Sequence, residues 1–370
     1  MADTYASPHD QNMSAEIGEQ IRHADKAGSP LRIVGGDTRS FYGRAVDGTP
    51  LSLSAHRGIT HYDPVELVVS VRTGTPLDEL ESALQAEGQM LGCEPPRFGE
   101  VGTVGGMIAT GLSGPRRPWA GAVRDFVLGT RVIDRTGREL RFGGEVMKNV
   151  AGYDISRLMV GAQGTLGVVS EVSMKVLPRP AASASLRLEM PLEKALDRLT
   201  QWGRQPLPIT ASAYTDGALH LRLEGGASSV AATRERLGGD ELEEDFWQTL
   251  RDLRLPFFTD DARPLWRLSL PNHTPPLPLA GETLLDWAGA QRWLKSDAAA
   301  EEIRAAASRV GGHATCLGAS DGQGEGHHKA QGAAEPFTPL APVIAKYHRR
   351  LKAELDPNGI FNPGRLYGDV

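Results

Sequence analysis

The chain has 370 residues, 43 of them glycine and 25 proline, with 40% hydrophobic and 23% charged. The glycines keep no three-residue period, which excludes collagen, and the apolar content in recurring alternating runs excludes a disordered chain. A formal charge of -6 leaves no basic footprint for nucleic acid, and no apolar run approaches the roughly 18 residues of a membrane span.

The length predicts two domains. Ile17, Ile21 and Ala24 recur at i, i+4 and i+7, which predicts a helix over 14–28 with Gly28 as its left-handed cap. A short apolar strand over 31–34 runs into Gly35-Gly36, and a second strand covers 67–71. Thr75-Pro76-Leu77-Asp78 offers a capping hydroxyl, a proline at the first helical position and an acid at the third. The helix it opens carries Leu77, Leu80 and Leu84 on one face and stops at Gly88. This alternation argues for α/β layers. Six glycines follow between Gly99 and Gly114. Strands over 126–134 and 139–142 flank Arg135-Thr136-Gly137-Arg138 as a hairpin. Val168, Val172, Met174 and Val176 share one face of a strand that ends at Pro178-Arg179-Pro180, where the domain boundary is placed.

The second region reads as strands and helices in an α+β order. Strands are predicted over 184–188, 209–215, 218–223, 265–270, 284–287, 292–295 and 313–317, and helices over 192–202, 228–237 and 297–310. Asp216-Gly217 is a strong hairpin signal between two of the strands. A basic helix over 342–355 then leads into turn-rich sequence at 356–365. Lys346, His348, Arg349, Arg350 and Lys352 crowd that helix, as an exposed face or as a docking face for a partner.

Two common phosphate motifs are absent, GxxxxGK[ST] and a GxGxxG that opens a helix after a strand. Separated glycine loops stand in their place. Gly35-Gly36-Asp37-Thr38-Arg39-Ser40 and Gly102-Thr103-Val104-Gly105-Gly106-Met107-Ile108-Ala109-Thr110-Gly111 combine little bulk with hydroxyls and successive N–H groups. Such loops form nests that bind a diphosphate without a helix dipole. Lys148, Tyr153 and Arg157 border a third glycine-rich element, which makes them the catalytic candidates. The alternative readings are a core residue for Tyr153 and a surface ion pair for Arg157.

Gly164-Thr165-Leu166-Gly167-Val168-Val169, the 35–40 and 103–109 loops and the ending Asp356 to Arg365 together resemble the vanillyl-alcohol oxidase family. Its FAD-binding fold is named for p-cresol methylhydroxylase. Arg116-Arg117-Pro118-Trp119, Val146-Met147-Lys148-Asn149 with Tyr153-Asp154, and Gly312-His313-Ala314-Thr315 further resemble the family of FAD-binding subunits of bacterial glycolate oxidases. The resemblance implies an α+β chain. Its FAD-binding domain over 1–180 would be of the p-cresol methylhydroxylase type, with two α/β subdomains. A cap-like α+β domain with an antiparallel sheet would cover 181–335, and a helix and tail over 336–370 would return to the FAD domain.

Carried over, Gly35, Gly36, Asp37, Thr38, Arg39, Ser40, Gly102, Thr103, Val104, Gly105 and Gly106 would contact the diphosphate. Ala109, Thr110 and Gly111 would approach the flavin, Gly164, Gly167 and Val168 the adenine and ribose, and Asn362 and Arg365 would close the site. No histidine or cysteine stands in 35–40, so FAD is expected to be noncovalent. A small 2-hydroxy acid such as glycolate would be oxidised to glyoxylate by hydride transfer. The family implies a catalytic flavoprotein subunit and an iron–sulfur subunit as partners. A cytoplasmic location is expected, with any attachment to the inner membrane made through those partners.

Where the catalytic subunits carry a histidine-bearing Gly-Asp-Gly-Asn segment, this chain reads Ala319-Ser320-Asp321-Gly322 up to His327-His328. That departure argues against independent turnover. It leaves two alternatives open, an FAD-bearing relay or structural subunit and a stand-alone FAD-dependent alcohol or hydroxy-acid oxidoreductase. No metal is expected: His313, Cys316, His327 and His328 read as a strand residue, a buried thiol and a solvated pair.

Overall fold

The computed structural model describes residues 9–99, 101–144, 153–242, 245–259, 263–320, 328–329 and 335–369. They form two compact units, one of 1–112, 122–178 and 339–370, the other of 113–121 and 179–338. The 113–121 excursion, which the sequence places within the first region, belongs to the second unit. Trp287 Nε1 donates to the Gly114 carbonyl there at 3.0 Å, and Arg116 pairs with Glu224.

In the first unit helix α1 (Ser14–Ala27) ends at Gly28 with φ 61°, as its period and cap require. Strands β1 (Leu31–Val34) and β2 (Thr49–Ser52) pair in parallel. Leu31 also bridges Phe361 in parallel, so the last segment of the chain lies along β1. Helix α1 and these strands bury Ile17, Ile21, Leu31, Leu51, Ile360 and Phe361 in one cluster.

A five-stranded antiparallel sheet forms from β3 (Ile59–Asp63), β4 (Val68–Arg72), β5 (Val127–Ile133), β6 (Glu139–Gly143) and β7 (Val168–Lys175). Its order is β3-β4-β7-β5-β6. The valine and methionine face of β7 is buried as its alternation predicts. Ser173, expected on the polar face, is buried as well, and its hydroxyl lies 2.7 Å from that of Ser70 on β4.

Helix α2 (Leu77–Ala86) is capped by Pro76 rather than Thr75, with no side-chain hydrogen bond at the cap. The Thr75 hydroxyl instead accepts from the Gly58 N–H at 2.9 Å. The second glycine stretch contains a helix that its composition hides, α3 (Val104–Thr110), with Thr103 as N-cap accepting from the Gly106 N–H. Two consecutive glycines weaken helix propensity by about 1 kcal/mol each, and packing overrides that here: Val104, Met107 and Ile108 are fully buried.

The second unit is a long antiparallel sheet. Its central strands run in the spatial order β8 (Ala182–Glu189), β10 (Ala218–Gly225), β9 (Ile209–Thr215), β12 (Glu282–Asp286), β13 (Gln291–Lys295), β11 (Leu265–Ser269) and β14 (His313–Ser320). Asp216 and Gly217 both have positive φ, the primed turn that the hairpin calls for. Helices α4 (Leu192–Trp202) and α5 (Ala227–Leu237) cover Leu219, Leu221 and Leu223 on one face, and α6 (Ala300–Arg309) covers Leu268 and Leu294 farther along.

Candidate functional site

A cavity of ≈ 280 Å³ opens in the first unit where four segments distant in sequence meet. They are the turn after β1, helix α3 with its cap, the turn leading into β7, and the C-terminal return. Gly35, Gly36, Asp37, Thr38, Arg39 and Ser40 all line it, as do Thr103, Gly105, Gly106, Ala109 and Thr110. Gly164, Gly167 and Val168 form another wall, and Asn362 and Arg365 complete it.

Loop-to-loop packing explains much of the glycine. A Cβ on Gly36 would lie 1.8 Å from the Val101 carbonyl oxygen, so the two glycine loops could not close on each other with any side chain there. Gly164 has φ +71°, and a Cβ would meet Asn362 Nδ2 at 2.8 Å. The glycines first let protein segments approach one another, and the cavity is the space those approaches enclose.

Asn362 joins two walls. Its Oδ1 accepts from the Ile33 N–H at 2.8 Å, and its Nδ2 donates to the Gln163 carbonyl at 2.7 Å. The Arg365 guanidinium donates to Gln163 Oε1 at 3.0 Å and to the carbonyls of Arg39 and Tyr42 at 3.0 Å each, as well as to that of Arg44. Burial lowers its pKa to about 10, with Asp37 opposing the shift. It works as a clamp on the first glycine loop. The end of α3 is held in the same way: the Gly161 N–H donates to the Ile108 carbonyl and the Gln163 N–H to that of Ala109, both at 2.9 Å.

The cavity's chemistry is divided. Val34, Leu53, Met159 and Val168 give an apolar wall. Hydroxyls of Thr38, Ser40, Thr103 and Thr110 and the guanidinium of Arg32 and Arg39 give a polar, net cationic one, with Asp37 paired to Arg32 at 2.9 Å. Guanidinium and hydroxyl donors suit phosphate oxygens, and an apolar cleft suits a flat heterocycle. These residues fit the adenosine diphosphate half of FAD. Among the described residues no cysteine or histidine lines the cavity.

Not every nominated residue reaches it. Gly102, Val104 and Gly111 do not line the cavity. Val104 is core, the Gly102 carbonyl accepts from the Leu77 N–H, and Gly111 is the left-handed cap of α3. Tyr153 is 94% exposed and so is not a core residue. Arg157 forms the surface pair, its Nε 3.4 Å from Asp154. Lys148, Asp321 and His327 lie outside the described residues. Among the described residues no three histidine, cysteine or acidic side chains gather as metal ligands.

Arg32, Thr73, Met159 and Gln163 also line the cavity and were missed in the sequence. None of the four carried a local signal; Arg32 lies inside β1, separated from the glycine pair by Ile33 and Val34. Lys352 was misplaced: it is not on an exposed basic face but buried.

A second recess, of ≈ 540 Å³, lies in the second unit and is lined by Arg187, Asp216, His220, Phe246, Phe257, Glu282 and Lys295, among others. His220 is 4% exposed, stacks on Phe246 at 4.5 Å, and its Nδ1 has no hydrogen-bond partner. Burial first, then Arg187, lowers its pKa to about 4.

Comparison with known proteins agrees with this geometry. A family model described as an FAD binding domain matches residues 7–143. The chain is 54% identical over 357 residues to the glycolate oxidase subunit GlcE of Escherichia coli (strain K12), covering 96% of this chain and 98% of that one. It is 36% identical to a D-lactate dehydrogenase of Anaerostipes hadrus over 38% of this chain and 29% of that protein. To the glycolate oxidase subunit GlcD of Bacillus subtilis (strain 168) it is 34% identical over 35% of this chain and 27% of that one. Among solved structures, alkyldihydroxyacetonephosphate synthase superposes with a TM-score of 0.66 at 17% identity, covering 96% of this chain and 76% of that one, which shows a shared fold.

Proposed function

The chain belongs to the family of the glycolate oxidase subunit GlcE, an FAD-binding oxidoreductase family, and from that premise we propose that it is the FAD-binding subunit of a complex that oxidises a small 2-hydroxy acid, glycolate to glyoxylate. The observation that carries this reading is the convergence of four separate segments on one cavity with a cationic, hydroxyl-rich wall beside an apolar one. FAD, when bound, supplies the hydride acceptor. The chain's own residues bind and orient it. Arg39, Arg32 and the threonine hydroxyls would hold the diphosphate, and Met159 and Val168 would give the adenosine an apolar seat. Asn362 and Arg365 hold the glycine loop at the spacing that this requires.

The complex would include a catalytic flavoprotein subunit and an iron–sulfur subunit, at the cytoplasmic face of the inner membrane through those partners. No described helix is long and apolar enough to cross a membrane. The domain reading of 1–180, 181–335 and 336–370 remains our proposal for how FAD domain, cap and return segment divide the chain. FAD is expected to be released intact on denaturation, because the described residues of the cavity wall include no cysteine or histidine for attachment.

One observation favours a second reading, a subunit that holds FAD without turning over substrate. Tyr153 and Arg157, nominated for catalysis, point away to solvent or pair on the surface. Anaerobic titration with glycolate separates the two. Bleaching of flavin in the isolated chain supports turnover by this subunit, and bleaching only after partner subunits are added supports the holding role. A chain that carries no FAD overturns both.

A further inference from the structure

We propose that Lys352 is a positioning residue of the cofactor cavity, fixing two of its walls to each other from behind. The inference rests on the FAD reading above. Lys352 lies near the inner end of helix Pro342–Leu355 and is 8% exposed, on a helix whose other residues are half-buried or exposed. Its Nζ donates to the Thr165 carbonyl at 2.7 Å, to the Phe361 carbonyl at 2.8 Å and to Asp356 Oδ2 at 2.7 Å. An ammonium has three protons and no acceptor, so these three partners use all of its capacity. Asp356 is buried in turn: Oδ1 accepts from the Ile360 N–H at 3.0 Å and Oδ2 from the Phe361 N–H at 2.8 Å.

Each carbonyl that Lys352 holds is one residue from the cavity wall. Thr165 follows Gly164, and Phe361 precedes Asn362, both of which line the cavity. Asn362 then ties the same two segments together on the cavity side through Gln163, and through Ile33 it ties the return to β1 as well. The turn and the return strand are thus pinned at two points, by an uncharged amide in front and a buried cation behind. An apolar side chain of similar length would fill the volume without the desolvation cost of a charge. It could not hold carbonyl oxygens of two separate segments within 2.8 Å of one point.

The test uses the full chain stripped of flavin, in wild-type form, as Lys352→Met, and as Leu250→Ala, a control that removes buried bulk from the second unit. FAD is titrated and followed by flavin fluorescence, and amide hydrogen exchange is measured before FAD is added. Lys352→Met is expected to weaken FAD affinity by roughly 10-fold or more. It should also speed exchange across 161–168 and 360–365 above the change elsewhere. Leu250→Ala should lower the thermal midpoint and leave both readouts at wild-type values, which separates positioning from general loss of stability. Unchanged exchange and unchanged FAD affinity in Lys352→Met overturn the inference.

Should Lys352→Met give no soluble chain, Asp356→Asn replaces it. That variant removes the counter-charge while leaving both carbonyl partners, and it is expected to weaken FAD by about 3-fold with the same exchange pattern. Wild-type affinity and exchange in that variant overturn the inference equally. A wild-type chain that binds no FAD defeats the functional reading instead, and the exchange measurement still decides the role of Lys352.

Discussion

Two places in the molecule, the rear of the first cavity and one sheet face of the second unit, treat their buried polar groups differently. Around the first cavity, Asn362, Arg365 and Lys352 spend donors and acceptors on backbone partners in other segments, and Asp356 accepts from backbone N–H groups a few residues on. On the sheet of the second unit, His220 Nδ1, Gln291 Oε1 and Trp293 Nε1 are buried without hydrogen-bond partners. Cross-strand pairing puts His220 and Gln291 in one row, through Ala213 and Asp286. An unsatisfied buried polar atom costs about 1–3 kcal/mol. The walls of the first cavity are therefore fastened to one another, whereas one sheet face of the second unit carries buried polar atoms without partners.

The largest expected effect breaks the first half of this contrast. Asp356→Ala leaves the Lys352 ammonium buried without its counter-charge, and removing one partner of such a pair costs about 3–5 kcal/mol. Urea unfolding of the purified chain measures it, and a loss below about 1 kcal/mol would show the pair to be dispensable.

Acid tests the second half. His220 takes up its proton near pH 4 when folded, against an ordinary value of 6.5. Unfolded chains therefore bind the proton first as pH falls, and the stability tied to neutral His220 is complete above pH 6.5 and declines toward pH 4. The full loss is about 3 kcal/mol. His220→Gln should flatten that slope in a series of unfolding midpoints, and an unaltered slope would place the acid sensitivity elsewhere.

Gly36→Ala comes next. The clash with the Val101 carbonyl forces the two glycine loops apart, for about 1–3 kcal/mol of stability and roughly a 10-fold loss of FAD affinity. Calorimetric titration with FAD checks it. The smallest effect belongs to Tyr153→Ala, expected within about 0.5 kcal/mol of wild type with FAD affinity unchanged, because the ring is exposed. A fall in glycolate-dependent flavin reduction with both of those intact would give Tyr153 the catalytic role first expected of it.

How legible each region was follows from the range of the forces that build it. Gly28, Asp216-Gly217 and the hairpin at Gly137 act over a few residues, so their turns could be read directly. That the 35–40 loop lines the cavity was legible for the same reason. Helix α3 was not, because its glycines argue against a helix and only the burial of Val104, Met107 and Ile108 outweighs them. Lys352 looked like one cation among several on a basic helix. Its partners at Thr165 and Phe361 are set by tertiary structure and leave no mark on the local sequence. His220 was hidden similarly: alternation in β10 shows which residues face together, not that a polar face is buried.

The pairing of Leu31 with Phe361, and of Ile33 with the Asn362 side chain, also sets an order of events during synthesis. The first strand and its glycine turn emerge from the ribosome about 330 residues before the segment that fastens them, a delay on the order of tens of seconds at ordinary elongation rates. Until then the turn has neither the Asn362 amide nor the Arg365 clamp, and β1 presents an open edge. Nascent or prematurely terminated chains would consequently lack the contacts that fasten β1 and its glycine turn, however well their other elements had folded.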